Sequence, residues 1–422
     1  MTTNGHIAAY LLCGALALTA CGSDDDSGSS ASSAPSETAP AETPPAETTA
    51  ETDTTETPAD SAPDVSSGMV NQEAIDAAAA TFLELQSAQG VTAFYIAISD
   101  PENGEFVTAY GDASTDGPAA TIDDSFRIGS ISKTFTATII LQLVQSGAIA
   151  LDDTVGELLP DLAAEHPEIE TRTVEQLLAM NSGIADYLNK VDTVVPVVVE
   201  DPSKVWAPEE LVAAGVEAGV TEPPEPGYST TNFIILQLIA ESVTESSLQD
   251  LIAEQIAAPL ELDGIYLPPN DDTTLPEPAT HGYIDGGCLD EMTEDGATVD
   301  AGTDTTDWNA SYGQGGGGMT STVSGLLDWA ASGTGNSLLD DATVDQRLAV
   351  EVLPEGIFYG LGIMEVGRWV GHEGEAIGWE ALAVKDLQTG TSLAVAANGC
   401  GGLFEGFLEV MLTLYPESML VD

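Results

Sequence analysis

The sequence is poor in positive charge. Lys and Arg together number 8 in 422 residues, against 70 Asp and Glu, and the formal net charge is −62. Such a surface repels the phosphates of nucleic acids and anionic membrane surfaces, so we expect neither as a partner. A hydrophobic fraction of 43% favours a packed core over a disordered acidic chain. The acidic excess would suit a protein that works in salt, which screens self-repulsion.

The N-terminal region has no apolar run long enough to cross a bilayer. Its apolar segment, residues 7–18, is too short for a spanning helix. The segment ends at Leu18-Thr19-Ala20-Cys21-Gly22, which resembles a bacterial lipobox, although the first ten residues carry no Lys or Arg. We therefore predict that residues 1–20 are a lipoprotein signal peptide and that Cys21 is lipidated after cleavage.

Large apolar side chains are almost missing from residues 21–68, which consist mainly of Ser, Thr, Pro, Ala, Glu and Asp. Such a segment cannot bury enough surface to offset the entropy of ordering, and it is predicted to be a disordered acidic linker. Residues 69–422 then form the globular domain. This order predicts an extracytoplasmic protein whose only membrane contact is its lipid anchor.

Cysteine is also scarce, with four in the chain. Cys13 lies in the predicted signal and Cys21 would carry the lipid, which leaves Cys288 and Cys400. Outside the cytoplasm, two remaining cysteines more often form a disulfide than not. The sequence predicts this pair but leaves open whether the two residues meet.

The segment from Arg127 to Phe135 is the most informative stretch. Ser130 and Lys133 are three residues apart, so on a helix their side chains share one face. A serine hydroxyl becomes a strong nucleophile when a nearby base takes its proton, and an amine in a dry site can do so. A four-residue match alone is weak, but Lys133 is one of only 8 basic residues and an apolar helix follows it. We interpret Ser130 and Lys133 as catalytic.

Periodicity predicts helices and strands at both ends of the globular region. The predicted helices include 74–86, 174–180, 232–243 and 403–415, and the predicted strands are 92–99, 105–110, 358–364, 368–372, 379–385 and 391–397. Strands near both ends with helices between them favour an α/β (α+β) fold. The prediction is an antiparallel sheet flanked by terminal helices, with an inserted, mostly helical subdomain.

Five motifs follow one another along the chain: 126–137 with Ser130 and Lys133, 177–187, 226–233 with Tyr228, 315–322, and 371–374. In this order they resemble the motifs of the serine β-lactamase and D-alanyl-D-alanine carboxypeptidase superfamily. The similarity is nearest to its β-lactamase-related, class C-like branch and extends across residues 75–415. Five ordered matches are far more specific than any one of them.

The resemblance implies roles for these residues. Ser130 is the expected nucleophile and forms an acyl-enzyme, while Lys133 and Tyr228 share the proton transfers. Both side chains would need a lowered pKa to work near neutrality. The backbone N–H groups of Ser130 and Glu375 would form the oxyanion hole. Thr230, His372, Gly374 and Glu375 are the expected substrate-binding residues.

We expect neither a metal nor a cofactor. His166, His281 and His372 are scattered without the spacing of metal ligands. The glycine run 315–318 lacks the Gly-Lys-Ser/Thr of a phosphate loop and is predicted to be a flexible turn.

The chain departs from the family pattern at three places. Thr230 replaces the usual asparagine two residues after the tyrosine, and His372 stands where many relatives have lysine. Glu373 and Glu375 occupy positions where relatives often have hydroxyl residues or glycine. Two apart on a strand, they share one face and would turn His372 away from it. If both face the cleft, they repel a terminal carboxylate of the substrate.

The sequence therefore predicts a cell-surface serine hydrolase that acts through an acyl-enzyme. Activity like that of a D-alanyl-D-alanine carboxypeptidase or β-lactamase, on peptidoglycan peptides or small molecules, follows from the resemblance. An esterase or amidase for uncharged substrates is the enzymatic alternative. A catalytically weak lipoprotein that binds cell-wall peptides is the non-enzymatic one. The oligomeric state stays open.

Overall fold

The computed structural model describes residues 70–87, 90–188, 194–284, 299–354, 356–399 and 401–419. The predicted signal peptide 1–20 and the linker 21–68 lie outside the described residues, as do Cys21, Cys288 and Cys400.

An eight-stranded antiparallel sheet forms the centre of the fold. Its strands are β1 (Ala93–Asp100), β2 (Gly104–Gly111), β7 (Glu351–Val352), β8 (Phe358–Tyr359), β9 (Met364–Val366), β10 (Trp369–Ala376), β11 (Trp379–Asp386) and β12 (Ser392–Asn398). They lie in the order β2-β1-β12-β11-β10-β9-β8-β7. Two short pairs stand apart from the sheet: β3 (Phe126–Arg127) with β6 (Thr320–Ser321), and β4 (Tyr283–Ile284) with β5 (Thr303–Asp304). An early and a late strand of the globular domain thus meet in one sheet, because β1 pairs with β12.

Helices cover both faces of the sheet. In chain order they are α1 (Gln72–Gln86), α2 (Ser132–Ser146), α3 (Val155–Leu158), α4 (Pro160–Glu165), α5 (Val174–Leu178), α6 (Val195–Glu200), α7 (Pro208–Ala218), α8 (Thr230–Thr244), α9 (Leu248–Ile252), α10 (Ala258–Leu260), α11 (Gln314–Gly317), α12 (Val323–Ala331), α13 (Asp341–Arg347) and α14 (Leu403–Leu414). A wider π turn, Ala253–Ala257, joins α9 to α10. Of the helices in the described ranges, none combines the length and apolar composition that a membrane span requires.

The outer face of the sheet packs against the terminal helices. Phe94 of β1 lies 4.4 Å, between ring centroids, from Phe82 of α1, and Phe82 lies 5.4 Å from Phe407 of α14. The opposite face of β1, including Tyr95, belongs to the larger core that contains α2. Because both faces are covered, β1 is a nearly continuous apolar run rather than an alternating pattern.

Helix α2 is the buried centre of the larger core. Its residues from Ser132 to Leu141 are all buried, and Gly147 ends the helix in a left-handed conformation with φ of 75°. The ring of Phe135 stacks on Trp329 of α12 at 3.8 Å between centroids. Phe135 precedes the inserted helices in the chain and Trp329 follows them, so this contact joins the two parts of the fold at α2. It fixes the position of the N-terminal end of α2.

The predicted fold class is confirmed, with an antiparallel sheet, terminal helices and a helical insertion. Three local predictions are wrong. The predicted strand 358–364 is divided into β8 and β9, which hydrogen-bond to each other as a hairpin. Strand β10 continues past residue 372 to Ala376. The glycine run 315–318 is mostly helical, because close packing against neighbouring helices holds it in a short helix.

Candidate active site

Ser130 lies in a single 3-10 turn, Gly129–Ile131, immediately before α2. Ser130 thus lies at the start of the helix, as predicted, but two residues before α2 itself, which begins at Ser132. Gly129 has a φ of 48°, and a Cβ atom there would lie 2.3 Å from the carbonyl oxygen of Glu375. Glycine before the serine thus lets strand β10 approach the turn closely.

Lys133 is fully buried in the first turn of α2 and points at the serine. Its Nζ lies 2.9 Å from Oγ of Ser130, 2.8 Å from the carbonyl oxygen of Gly316 and 3.2 Å from Oγ1 of Thr230. Burial lowers the pKa of Lys133 to about 7, and the charges of Asp186 and Glu373 partly oppose that shift. A substantial fraction of the amine is therefore neutral near pH 7, as a base for Ser130 must be.

The glycine run contributes directly to the site. It forms the short helix α11, with Gly315 and Gly316 buried, rather than the flexible turn that was predicted. A Cβ atom on Gly316 would lie 2.6 Å from Cγ2 of Thr230. The carbonyl of Gly315 accepts a hydrogen bond from Thr136 at 2.6 Å. Glycine is needed here because α11 packs tightly against α2 and α8, and the carbonyl of Gly316 then orients Lys133.

Tyr228 precedes α8 and lies beside the lysine. Its ring centroid is 5.0 Å from Nζ of Lys133, and its hydroxyl interacts with Ser130. Burial raises the pKa of Tyr228 well above its usual value, and the nearby Tyr359 adds to that effect. The structure thus lowers the pKa of the lysine only, whereas both were expected to be lowered. A phenol that keeps its proton is suited to donate it rather than to act as the base.

Thr230 and Asp186 continue the hydrogen-bond chain behind the lysine. The Thr230 hydroxyl donates to Oδ2 of Asp186 at 3.3 Å, and the backbone N–H of Leu188 donates to Oδ1 at 3.0 Å. Burial raises the pKa of Asp186, while Lys133 opposes that shift. Asp186 lies within the 177–187 motif, but the sequence analysis assigns it no role. Among 70 acidic residues, its type alone was no signal.

His372 is fully buried beneath the tyrosines. Its Nε2 lies 3.1 Å from the Tyr359 hydroxyl, and its Nδ1 hydrogen-bonds to the carbonyl of Glu373. A carbonyl can only accept, so Nδ1 carries the proton and Nε2 accepts from Tyr359. Burial, with the charge of Lys133, lowers the pKa of His372 to about 3, so the ring is neutral at physiological pH. The ring lies 6.2 Å from that of Tyr228, between centroids.

The strand register separates His372 from the two glutamates. His372 pairs with Ala383, whereas Glu373 pairs with Leu382 and Glu375 with Glu380, so the glutamates share the opposite side of β10. Glu375 is exposed and Glu373 is partly buried. Glu373 acts electrostatically on Lys133 and Tyr228, which places its charge within range of the reacting groups.

The neighbouring Glu380 contributes to the raised pKa of Glu373. Its buried carboxylate accepts backbone hydrogen bonds from Gly401, Gly402, Leu403 and Phe404, at the start of α14, over distances of 2.8 to 3.1 Å. Burial and the negative charge of Glu380 raise the pKa of Glu373 to about 7.

Gly374, between the two glutamates, lies against the carbonyl of Ile128. Within the described ranges, no group of three or more His, Cys, Asp or Glu residues is placed to hold a metal ion.

A buried lysine beside a serine, on a helix packed under an antiparallel sheet, defines a serine hydrolase with the β-lactamase/transpeptidase-like fold. The family profile described as Beta-lactamase matches residues 75–411. The chain belongs to this family.

Relatives of known type are similar to parts of the chain. Penicillin-binding protein 4 from Amycolatopsis lactamdurans is 31% identical over 186 residues, which is 42% of this chain and 44% of that protein. Protein flp from Staphylococcus aureus (strain MW2) is 31% identical over 140 residues, 32% of this chain and 27% of that protein. The chain thus spans less than half the length of these curated relatives.

Solved structures are similar over most of the chain. A D-stereospecific amidohydrolase from Streptomyces sp. has a TM-score of 0.68 at 27% identity, covering 81% of this chain and 98% of that one. The D-amino acid amidase from Ochrobactrum anthropi SV3, complexed with L-phenylalanine amide, has a TM-score of 0.66 at 24% identity, with 80% and 98% covered. The second similarity concerns the fold alone.

Proposed function

We propose that the protein hydrolyses amides or esters through an acyl-enzyme on Ser130. The observation that carries this proposal is the 2.9 Å contact between Oγ of Ser130 and Nζ of the buried Lys133. Ser130 attacks the substrate carbonyl while its proton passes to the neutral amine. Tyr228 donates a proton to the leaving group and receives one from Lys133. Water then releases the acyl group from the serine.

The oxyanion that forms during attack would be stabilised by the backbone N–H groups of Ser130 and Glu375. The close packing of Gly129 on the backbone of Glu375 supports this role, because it brings the two segments together. Such donors stabilise the transition state through fixed dipoles and need no particular side chain.

We propose further that the preferred substrates are uncharged or positively charged near the scissile bond. Glu373 influences both Lys133 and Tyr228, so its carboxylate would also act on a substrate held there. A terminal carboxylate would be repelled and an ammonium group attracted. The similarity to a D-stereospecific amidohydrolase supports an amidase, since an amino acid amide carries an ammonium group and no carboxylate.

Carboxypeptidase or β-lactamase activity is the second candidate, favoured by the 31% identity to Penicillin-binding protein 4. Its substrates end in a carboxylate, which the glutamates disfavour. The third candidate, a weak binding lipoprotein, lacks support because Ser130, Lys133 and Tyr228 are all present and adjacent.

A substrate panel separates these candidates. The purified protein is assayed with p-nitrophenyl acetate, D-phenylalanine amide, nitrocefin and a peptide ending in D-Ala-D-Ala, beside Ser130→Ala. We expect kcat/KM for the ester and the amide to exceed that for the two anionic substrates. Faster turnover of nitrocefin or the peptide would favour the second candidate, and no turnover in the panel would favour the third.

The proposed location is outside the cytoplasm, with residues 21–68 as a flexible tether to lipidated Cys21. Its support is the sequence of residues 1–68 alone. Mature protein should begin at diacylated Cys21 and partition into detergent, whereas Cys21→Ala should be released or left unprocessed. Membrane-bound wild-type protein that keeps residues 1–20 would contradict this location.

A disulfide between Cys288 and Cys400 is proposed on the same ground, because an exported domain would be oxidised. It would stabilise the fold by about 2–4 kcal/mol. Thiol titration of the unfolded, unreduced protein should detect neither cysteine. Two reactive thiols would show that the pair is not bonded.

A further inference from the structure

Three buried side chains form a continuous hydrogen-bonded chain that leads away from the nucleophile. Nζ of Lys133 lies 3.2 Å from Oγ1 of Thr230, and the same oxygen lies 3.3 Å from Oδ2 of Asp186. Thr230 is 2% exposed and Asp186 is 7% exposed. The hydroxyl of Thr230 therefore accepts from the amine and donates to the carboxylate.

The residue type at position 230 gives this chain a property that an amide would not have. A hydroxyl can receive a proton on its oxygen while it releases its own proton to the next acceptor. An asparagine side chain donates through nitrogen and accepts through oxygen, so it holds its neighbours without such an exchange. Thr230 stands where relatives usually have asparagine, so the replacement joins Lys133 and Asp186.

We propose that Asp186, through the Thr230 hydroxyl, takes up the proton that Lys133 removes from Ser130. This inference rests on the proposed function of Ser130 and Lys133. The proton of Ser130 moves to Nζ of Lys133 as the serine oxygen bonds the substrate carbonyl carbon. A proton of the resulting ammonium then moves to Oγ1 of Thr230 while the Thr230 proton moves to Oδ2 of Asp186. Lys133 becomes neutral again, Thr230 is unchanged and Asp186 is a carboxylic acid. The reverse transfer returns the proton to Lys133, and Tyr228 passes a proton on to the leaving group.

The surroundings of the chain favour this transfer. Separate charges on a buried amine and a buried carboxylate are both disfavoured, and the transfer removes both. Burial lowers the pKa of Lys133 to about 7 and raises that of Asp186, so the two values approach each other. A smaller difference between the two proton affinities lowers the cost of moving a proton along the chain.

Other titratable groups face the two ends. Lys133 is also faced by Glu373, by the neutral ring of His372 and by the phenol of Tyr228. Asp186 is faced by Tyr187 and Tyr228, whose pKa values are raised well above the usual one, so both stay neutral. Glu373 is thus the one other group among these that titrates near neutrality, and its effect is removed in the test by a Glu373→Gln background.

Asp186 touches no reacting atom and acts through Thr230 and Lys133, so it is a positioning residue rather than a catalytic one. If Asp186 were purely structural, its replacement would lower the amount of folded protein. It would not alter the pH profile of labelling or the number of protons that move in the transition state. Those two readouts therefore decide the question.

The test measures labelling of Ser130 in the full chain by a fluorophosphonate, followed by intact mass spectrometry from pH 5 to 9. Labelling needs no knowledge of the natural substrate, so absence of any label on wild-type Ser130 would mean that the proposed function itself fails. The variants are Asp186→Asn, Thr230→Val and Thr230→Ser. Asp100→Asn is the matched control, because Asp100 is a buried carboxylate that accepts backbone hydrogen bonds in the β1–β2 turn.

Asp186→Asn removes a negative charge that favours protonated Lys133, and this lowers the pKa of the lysine. The acid limb of the profile of labelling rate against pH should therefore move down by about one to two pH units. The plateau rate should fall at least about tenfold, since Lys133 becomes a weaker base. Thr230→Val should lose a similar factor, and Thr230→Ser, which keeps the hydroxyl, should recover most of that loss. Asp100→Asn should stay within about threefold of wild type.

Rates in mixtures of H₂O and D₂O give the second readout. Wild type and Thr230→Ser should show a curved proton inventory, as expected when more than one proton moves, and Thr230→Val a linear one. If Thr230→Val does not fold, Thr230→Asn replaces it with the same expectation. An unchanged acid limb in Asp186→Asn, or a linear inventory in the wild type, would overturn the relay while leaving Ser130 as the nucleophile.

Discussion

The hydroxyl of Tyr359 lies 3.1 Å from Nε2 of His372, and both side chains are buried. Nδ1 of His372 donates to a carbonyl, and burial lowers the pKa of the ring to about 3, so the ring is neutral and the tyrosine donates to Nε2. A neutral histidine supplies no positive charge for a substrate carboxylate, which a lysine at this position would supply. In this chain His372 supports the ring of Tyr228 instead.

His372 should therefore remain neutral across the working range of pH. With its pKa lowered to about 3, the imidazole should show the Nδ1–H tautomer and no titration between pH 5 and 8. Nitrogen-15 NMR of the ring, assigned through its loss in His372→Asn, measures this directly. A His372 signal that titrates near pH 6.5 would contradict the proposed hydrogen bond with Tyr359.

Activity should require the neutral form of Lys133. Since its pKa is lowered to about 7, ester hydrolysis should rise with pH through that value and level off above it. Lys133→Arg should lower kcat/KM by at least about a thousandfold, because a guanidinium stays protonated. Lys385→Arg is the matched control, since Lys385 donates to the Ala331 carbonyl far along β11. Comparable activity in Lys133→Arg and the control would show that the lysine is not the base.

Discrimination against anionic substrates should depend on pH. Glu373 has a pKa of about 7 and is ionised above it, so the ratio of ester to nitrocefin turnover should increase from pH 6 to pH 8. The increase should be about tenfold for one charge near the substrate, and it should disappear in Glu373→Gln. Glu375→Gln should have the smaller effect, because Glu375 is exposed to solvent. If the ratio of ester to nitrocefin turnover changes neither with pH nor in Glu373→Gln, the carboxylate does not act on the substrate.

Glu380 should be important for stability, since its carboxylate accepts four backbone hydrogen bonds at the start of α14. Glu380→Gln leaves an amide that cannot satisfy the same donors. The free energy of unfolding should fall by about 1–3 kcal/mol, and by less at pH 8 than at pH 6, because burial raises the pKa of Glu380 to about 7 and makes its ionised form costly. Urea unfolding measures the loss, with Glu409→Gln, in the same helix, as a control that should change little. Equal stability of Glu380→Gln and the wild type would contradict this role.

Much of the fold could be predicted because the strong local patterns are also the buried elements. The apolar run of β1 and the amphipathic α14 each carry their own signal. The boundaries of β8 and β9 could not be predicted, since the glycines between them leave the apolar pattern uninterrupted while the chain turns. For the same reason a run of glycines suggested a flexible turn at α11, where close packing holds a short helix.

The residues of the site likewise fall into those that the sequence predicts and those that it does not. Ser130, Lys133 and Tyr228 have motifs in the sequence, and the structure brings them together. Asp186 and Glu380 could not be found, because an acidic residue gains its role from burial and from partners that are distant in sequence. The face of β10 that carries each side chain followed from alternation once the register with β11 was known.

Acyl-enzyme trapping on Ser130 tests the central claim most directly. The protein is mixed with p-nitrophenyl acetate, quenched in acid within the first turnover, digested and examined by mass spectrometry. We expect an added acetyl group on the peptide that contains Ser130, in proportion to the burst of p-nitrophenol, and neither adduct nor burst in Ser130→Ala. Hydrolysis that continues undiminished in Ser130→Ala, with the acetyl group absent or on another residue, would contradict the assignment of Ser130 as the nucleophile.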